Sequence, residues 1–282
     1  MYIRSMDVYL ECEIKCLTEQ RELMIAELAE IGFEGFMEGE EGFSAYIKSS
    51  DFVPADWEEL LAAYPLAEVS IKEIAPQNWN ELWEQGYQPI IIADKVCIRA
   101  PFHTLEKEYS YDLVIQPKNT FGTGHHETTQ LVVELMLHEN FNNKTVFDYG
   151  CGTGVLGLMA LKLGAKQVSG NDIDKWCVDN ISENKELNKL DHFTFINGDL
   201  SMVIDVAPVD IILANINKNI LLSSFNQLSK LIKPDGLLFI SGFYETDLED
   251  LKQGAIKFGF SYIYHLTNNS WCAATFKFET KH

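Results

Sequence analysis

The sequence has no apolar run approaching the roughly 20 residues that a membrane-spanning helix needs. Its first residues, MYIRSMDVYLECEIKC, set acids inside the apolar pattern and lack the h-region of a secretory signal. A cytoplasmic protein is the expectation. Cysteine is present but unorganised. Cys12, Cys16, Cys97, Cys151, Cys177 and Cys272 form no CxxC pair and have no histidine at zinc spacing, which speaks against a disulfide framework and a structural metal. They read as free thiols of a reducing compartment. No internal repeat and no low-complexity stretch is present.

Positive charge is scarce. The 22 Lys and Arg face 42 Asp and Glu, a net charge of −20. The imbalance is concentrated early: residues 1–75 hold 17 acids against 5 bases, residues 76–282 hold 25 against 17. A surface of that sign repels phosphate backbones, so DNA or RNA is not expected as a direct substrate. It attracts a basic protein partner, although acidity also serves plain solubility.

What is there divides into two textures. Residues 2–16 alternate as a strand, and residues 18–31 place Leu23, Ile25, Ala26, Leu28, Ala29 and Ile31 mostly on one helical stripe. Two short strands around a Gly- and Glu-rich turn, a helix at 54–64 and a strand at 67–74 follow. The order βαββαβ predicts a small ferredoxin-like α+β domain over residues 1–75. Residues 76–89 look like a helical linker, with Trp79 and Trp83 four apart on one face. From residue 90 onward strands alternate with helices of about a dozen residues. That pattern predicts a doubly wound α/β domain over residues 90–282. The last two strands are joined only by the turn TNNS, so the final strand should run antiparallel.

The dinucleotide fingerprint GxGxxG is also missing. Residues 148–154 read DYGCGTG between an apolar strand and a helix, with Val155 where a third fingerprint glycine would fall. Gly150, Gly152 and Gly154 permit a tight turn against which a ligand can press. Asp172 closes the next strand; there an acid accepts from both ribose hydroxyls of a nucleoside, or else caps the following helix, a role for which Asp174 is better placed. Asp199, in the GDL after the third strand, suits the exocyclic amine of adenine or an ordinary turn. Asn215 closes the strand VDIILAN. It is either a satisfied strand-end residue or an amide oxygen that can orient a nucleophilic nitrogen in amine methylation.

DYGCGTG, Asp172, the ANIN corner at 214–217 and the antiparallel last strand together resemble the class I S-adenosylmethionine-dependent methyltransferases. The motif FGTGHHETT at 121–129, the WxxxW linker and the acidic head narrow the resemblance to the ribosomal protein L-eleven methyltransferase family. The resemblance implies a seven-stranded sheet, S-adenosylmethionine as cofactor without a metal, and methylation of lysine ε-amines and the N-terminal amine of one large-subunit ribosomal protein. That basic protein would dock on the acidic N-terminal domain. Carried over, the cofactor contacts fall on Thr129, Gly150, Asp172 and Asn215, with Gly152 and Asp199 completing the pocket and Asn215 also serving the chemistry. Asn217 and Lys218 depart from the small or apolar residues common after the strand-four Asn-Ile, which leaves the substrate rim open.

The glycines of FGTGHHETT lack a P-loop lysine, and its histidines lack partner ligands. Beside the resemblance, the stretch reads as a cover over the methionine end of the cofactor, with His125 or His126 as general base an alternative. Thr128 and Thr129 start the next helix, where hydroxyl or amide can meet a carboxylate. Rival readings are a class I methyltransferase for another basic protein, a nicotinamide-dependent oxidoreductase, and a nucleotide-binding scaffold without activity.

Overall fold

The computed structural model describes residues 8–39, 42–74, 87–105, 107–117, 124–203 and 206–279. The chain forms two compact units, Met1–Tyr87 and Gln88–His282. The expected linker helix with Trp79 and Trp83, and residues 121–123 of the glycine-histidine motif, lie outside the described residues.

In the first unit the elements run β1 (Tyr9–Lys15), α1 (Thr18–Glu30), β2 (Gly35–Glu38), β3 (Gly42–Lys48), α2 (Pro54–Ala62) and β4 (Glu68–Ile74). The strands pair in the order β2-β3-β1-β4, all antiparallel, which is the ferredoxin-like arrangement the βαββαβ order predicts. Alternation along β1 sends Cys12 and Ile14 into a core closed by Met24 and Leu28 of α1 and Trp57 and Leu60 of α2. The helical stripe differs from the expectation in that Leu23, Ala26 and Ala29 are all exposed. Leu23 is 57% exposed, and Met24, one helical turn before Leu28, takes the buried position instead.

The second unit begins with a small sheet, β5 (Ile90–Ile92), β6 (Val96–Arg99) and β7 (Tyr111–Val114), followed by α3 (Glu127–Met136). Its main sheet comprises β8 (Thr145–Tyr149), β9 (Gln167–Asp172), β10 (Phe193–Asn197), β11 (Val209–Asn215), β12 (Ile232–Tyr244), β13 (Phe260–Asn268) and β14 (Trp271–Phe278). Between these strands lie α4 (Val155–Lys162), α5 (Trp176–Asn188), α6 (Lys218–Leu231) and α7 (Leu248–Ile256). The seven strands lie in the order β10-β9-β8-β11-β12-β14-β13. β8 to β12 pair parallel, and β14 runs antiparallel between β12 and β13, as expected of the final strand.

The central strands are apolar on both faces because both are covered. Val146, Ile211 and Leu213 face a core made with the small sheet, α3, α4 and α5; Phe147, Ile212 and Ala214 face α6 and α7. The chain winds outward in one direction from β8 to β10, then restarts at β11 and winds the other way. The crevice at that reversal opens beyond the carboxyl ends of β8 and β11, where such sheets bind ligands.

Candidate functional site at the sheet reversal

The turn after β8 is built from glycine for steric reasons. Gly150 has φ +70°, and a Cβ there would lie 2.5 Å from Ile216 Cγ2. Gly152 and Gly154 also have positive φ, +53° and +81°. The turn is tied to the neighbouring strand: the N–H groups of Gly150 and Cys151 donate to the Asn171 carbonyl at 2.9 and 3.0 Å.

Asp172 completes that connection. Its Oδ2 accepts from Gly152 N–H at 2.9 Å and its Oδ1 from Asp174 N–H at 3.0 Å. Each oxygen keeps a second lone pair, so the carboxylate can hold the turn and still receive a vicinal diol. Asp174 serves the following helix, accepting from Trp176 N–H at 2.9 Å. Asp199 lies near by in sequence to the end of β10, and its Oδ1 accepts from the Ser201 N–H and hydroxyl at 2.8 and 2.5 Å. Those bonds hold its carboxyl below the usual range, so it is charged at neutral pH.

Asp148 sits beneath the turn, wholly enclosed, accepting from Gly157 N–H at 2.9 Å. Burial pushes its carboxyl up to about 7, with the Asp172 charge adding to the effect and the Gly157 bond opposing it. Burial likewise raises the Cys151 and Cys177 thiols, that of Cys177 to about 12, with Asp172 contributing to both. These sulfurs are therefore thiols, not thiolates, at working pH.

On the other side of the reversal, Asn215 Nδ2 donates to Thr129 Oγ1 at 3.3 Å. The Asn215 Oδ1 is buried and has no hydrogen-bond partner. A buried acceptor left open in this way costs about 1–3 kcal/mol unless something fills it. Thr129 is fully enclosed, as is Thr128. Its hydroxyl thus serves Asn215, a role that the sequence reading did not assign to it.

The histidines have separate surroundings. His125 Nε2 lies 3.0 Å from the Gln88 carbonyl. His126 is the N-cap of α3, with Nδ1 2.8 Å from Thr128 Oγ1 and accepting from Thr128 N–H at 3.3 Å. Because Nδ1 accepts, the ring proton belongs on Nε2. The His126 ring meets the edge of Trp271 at 4.7 Å, and Trp271 stacks on Tyr244 at 4.3 Å and 28°.

Trp271 and Tyr244 were not singled out in the sequence. They are opposed residues of β14 and β12, on the same sheet end as Asn215, beside a cavity of about 330 Å³ lined also by Asn217, Lys218 and Asp247. The available signal was an aromatic at the last position of β12 and another at the first position of β14. Among the described residues no cluster of three or more His, Cys, Asp or Glu is arranged to hold a metal ion. The donor set suits a nucleoside: positive-φ glycines for close approach, a carboxylate for a diol, and an unpartnered amide oxygen on the other side of the reversal.

A family model described as "Ribosomal protein L11 methyltransferase (PrmA)" matches residues 40–279. A ribosomal protein L11 methyltransferase of Phocaeicola vulgatus is 38% identical over 266 residues, 93% of this chain and 95% of its own. One of Porphyromonas gingivalis is 41% identical over 260 residues, 90% of each chain. Among solved structures, a ribosomal protein L11 methylase from Lactobacillus delbrueckii subsp. bulgaricus is similar with a TM-score of 0.64 and 26% identity, over 69% of this chain and 100% of that one. A methyltransferase from Pyrococcus furiosus shares the fold at a TM-score of 0.50 and 16% identity, over 59% of this chain and 89% of that one.

Proposed function

The chain belongs to the ribosomal protein L11 methyltransferase family, and from that premise we infer that it methylates ribosomal protein L11 at lysine ε-amines and the N-terminal α-amine. The methyl donor is S-adenosylmethionine, whose sulfonium supplies an already activated methyl group.

The observation that carries the reading is the buried Asn215 oxygen, left without a partner at the sheet reversal. An acceptor amine that donates N–H to this oxygen has its lone pair turned toward the donor side. The Thr129 hydroxyl takes the other end of the same amide, which fixes which atom faces inward. On the donor side the glycine turn gives backbone contact, Asp172 receives the ribose hydroxyls, and Asp199 accepts from the adenine amine. A lysine amine is cationic near neutral pH, with a pKa of about 10.4. Loss of water around the amine on entry disfavours that charge and lowers the pKa. Residues 124–129, which include His125 and His126, cover the methionine end in this reading.

The acid-rich first unit supplies the docking surface. Residues 1–75 carry 17 acids against 5 bases, an excess not confined to one sheet face, where Glu11, Glu13 and Glu68 alternate with Lys15, Lys48 and Lys72. A basic ribosomal protein suits that overall excess, and association should weaken as salt rises. The cytoplasm, where ribosomal proteins are assembled, is the compartment this assigns.

The test is transfer of labelled methyl from S-adenosylmethionine to a mixture of unmethylated ribosomal proteins, with mass spectrometry to place the product. Label on lysines and the N-terminus of one basic protein is the expected result. Label on RNA, or on no protein, overturns the reading.

A further inference from the structure

A charged cluster with no part in that reading lies at the same end of the sheet. Lys218 opens α6 three residues after Asn215, and its Nζ donates to Asp247 Oδ1 at 2.8 Å and Asp250 Oδ2 at 2.6 Å. The Lys218 and Asp247 side chains are only 27% and 26% exposed, unlike an ordinary surface pair. Asp247 also accepts from Tyr244 N–H at 3.4 Å, closing the turn Glu245–Asp247, and Tyr244 carries the stack on Trp271. Lys218 therefore ties the start of α6 to the turn that carries Tyr244, across the mouth of the 330 Å³ cavity.

Charge gives the tie a second consequence. Without Lys218, Asp247 would be a partly buried carboxylate at the rim where the acceptor amine arrives. An opposite charge beside the amine favours ammonium over free amine, the wrong state for a nucleophile. The two carboxylates hold the Lys218 ammonium above the usual lysine range, so it stays charged while Asp247 stays ionised. The titratable groups facing Lys218 are Asp247 and Asp250. Elsewhere on the rim stand Tyr244, Glu245, His126 and Glu127; Glu127 is held by Asn269 and His126 by Thr128.

We propose that Lys218 is a positioning residue for the acceptor: it braces the Tyr244–Trp271 side of the rim and neutralises Asp247, so that the lysine amine reaches Asn215 as free base. The inference rests on the reading of Asn215 given above.

The experiment uses the full chain with unmethylated ribosomal protein L11 as acceptor and S-adenosylhomocysteine as calorimetric probe. Lys218→Met should raise KM for the acceptor roughly 5- to 10-fold while leaving S-adenosylhomocysteine affinity within about twofold. It should also move the acidic limb of the kcat profile, which reports groups in the enzyme–acceptor complex, upward by about half to one pH unit, as an uncompensated charge near the bound amine demands. Lys218→Arg should restore both. Adding Asp247→Asn to Lys218→Met should return the limb to its original place with KM still raised. Unchanged KM and limb in Lys218→Met overturn the proposal. So does loss of S-adenosylhomocysteine binding, or a limb that stays displaced in the double variant. Asn215→Ala separates the two readings: if it methylates at the normal rate, the placement of the amine is wrong whatever Lys218 does. If Asn215→Ala is inactive and Lys218→Met normal, only the Lys218 inference falls.

Discussion

The Asn215 amide donates to the Thr129 hydroxyl across 86 positions of sequence at 3.3 Å, and the amide oxygen beyond it is buried without a partner. One hydrogen bond thus joins β11 to α3 at the point where the sheet reverses, and it leaves the oxygen as the unpartnered atom of the Asn215 amide.

Asn215→Ala should therefore lose methyl transfer by on the order of 10²-fold in kcat, the usual cost of a misplaced nucleophile. S-adenosylhomocysteine affinity should change by only a few-fold. Thr129→Val removes the acceptor for the Asn215 Nδ2 and frees the amide to turn over; its kcat should fall in the same direction by less. Stopped-flow or single-turnover transfer with calorimetry distinguishes the outcomes. Full activity in both variants would remove this bond from the chemistry.

Asp172 predicts the opposite division. Its carboxylate accepts two backbone N–H groups and has lone pairs left for ribose. Hydrogen bonds to a charged group contribute about 1.5–3 kcal/mol each. Asp172→Ala should thus weaken S-adenosylhomocysteine binding by at least about 100-fold, with far-UV circular dichroism unchanged. Binding that survives the substitution would assign Asp172 to the turn alone.

Much of this frame was legible before any coordinates. The glycine turn, Asp172 and Asn215 each lie at a strand end, and hydrophobic period together with turn residues marks strand ends well. The βαββαβ head and the antiparallel last strand followed from element order and a short TNNS connection. What escaped depends on register and rotamer. Trp271 and Tyr244 meet only because β14 inserts between β12 and β13, which no local pattern reports. The service of Thr129 to Asn215, and the hold of Lys218 on Asp247, join residues far apart in sequence. Leu23 was misplaced because an apolar stripe wide enough for either Leu23 or Met24 leaves one of them outside.

Asp148 should impose a pH dependence on stability. Unfolded, its carboxyl titrates near 3.9; folded, burial pushes it up to about 7. Between those values the folded chain holds a proton that the unfolded chain has released, so stability falls as pH rises through that window. Above about 7 the loss from this group is complete. Asp210 does not offset it, since burial alone would raise its carboxyl but Thr145 and Lys233 hold it at about 2, below the window. Going from about pH 5.5 to pH 8 the group should cost about 2 kcal/mol. Asp148→Asn should lack that slope, and comparing its melting curves with those of the unsubstituted chain subtracts the histidines. Parallel curves would mean that Asp148 is ionised throughout.

Gly150 links the two halves of the site most tightly, because a Cβ there would lie 2.5 Å from Ile216 Cγ2, one residue beyond Asn215. The backbone adds its own cost, since φ +70° is a conformation that L side chains adopt with a penalty of about 1 kcal/mol. Ile216 cannot yield freely: its backbone packs on Gly242, where a Cβ would meet the Ile216 carbonyl oxygen at 2.5 Å. Gly150→Ala should consequently destabilise the second unit by roughly 2–4 kcal/mol, combining the dihedral cost with overpacking. It should also lower both S-adenosylhomocysteine affinity and kcat, because the displaced Ile216 carries Asn215 with it. Ile216→Ala in the Gly150→Ala background removes the clashing methyl and should recover part of the kcat, while the dihedral cost and the weaker affinity remain. Recovery of neither rate nor stability would show that the turn and the β11 end are not coupled through this contact.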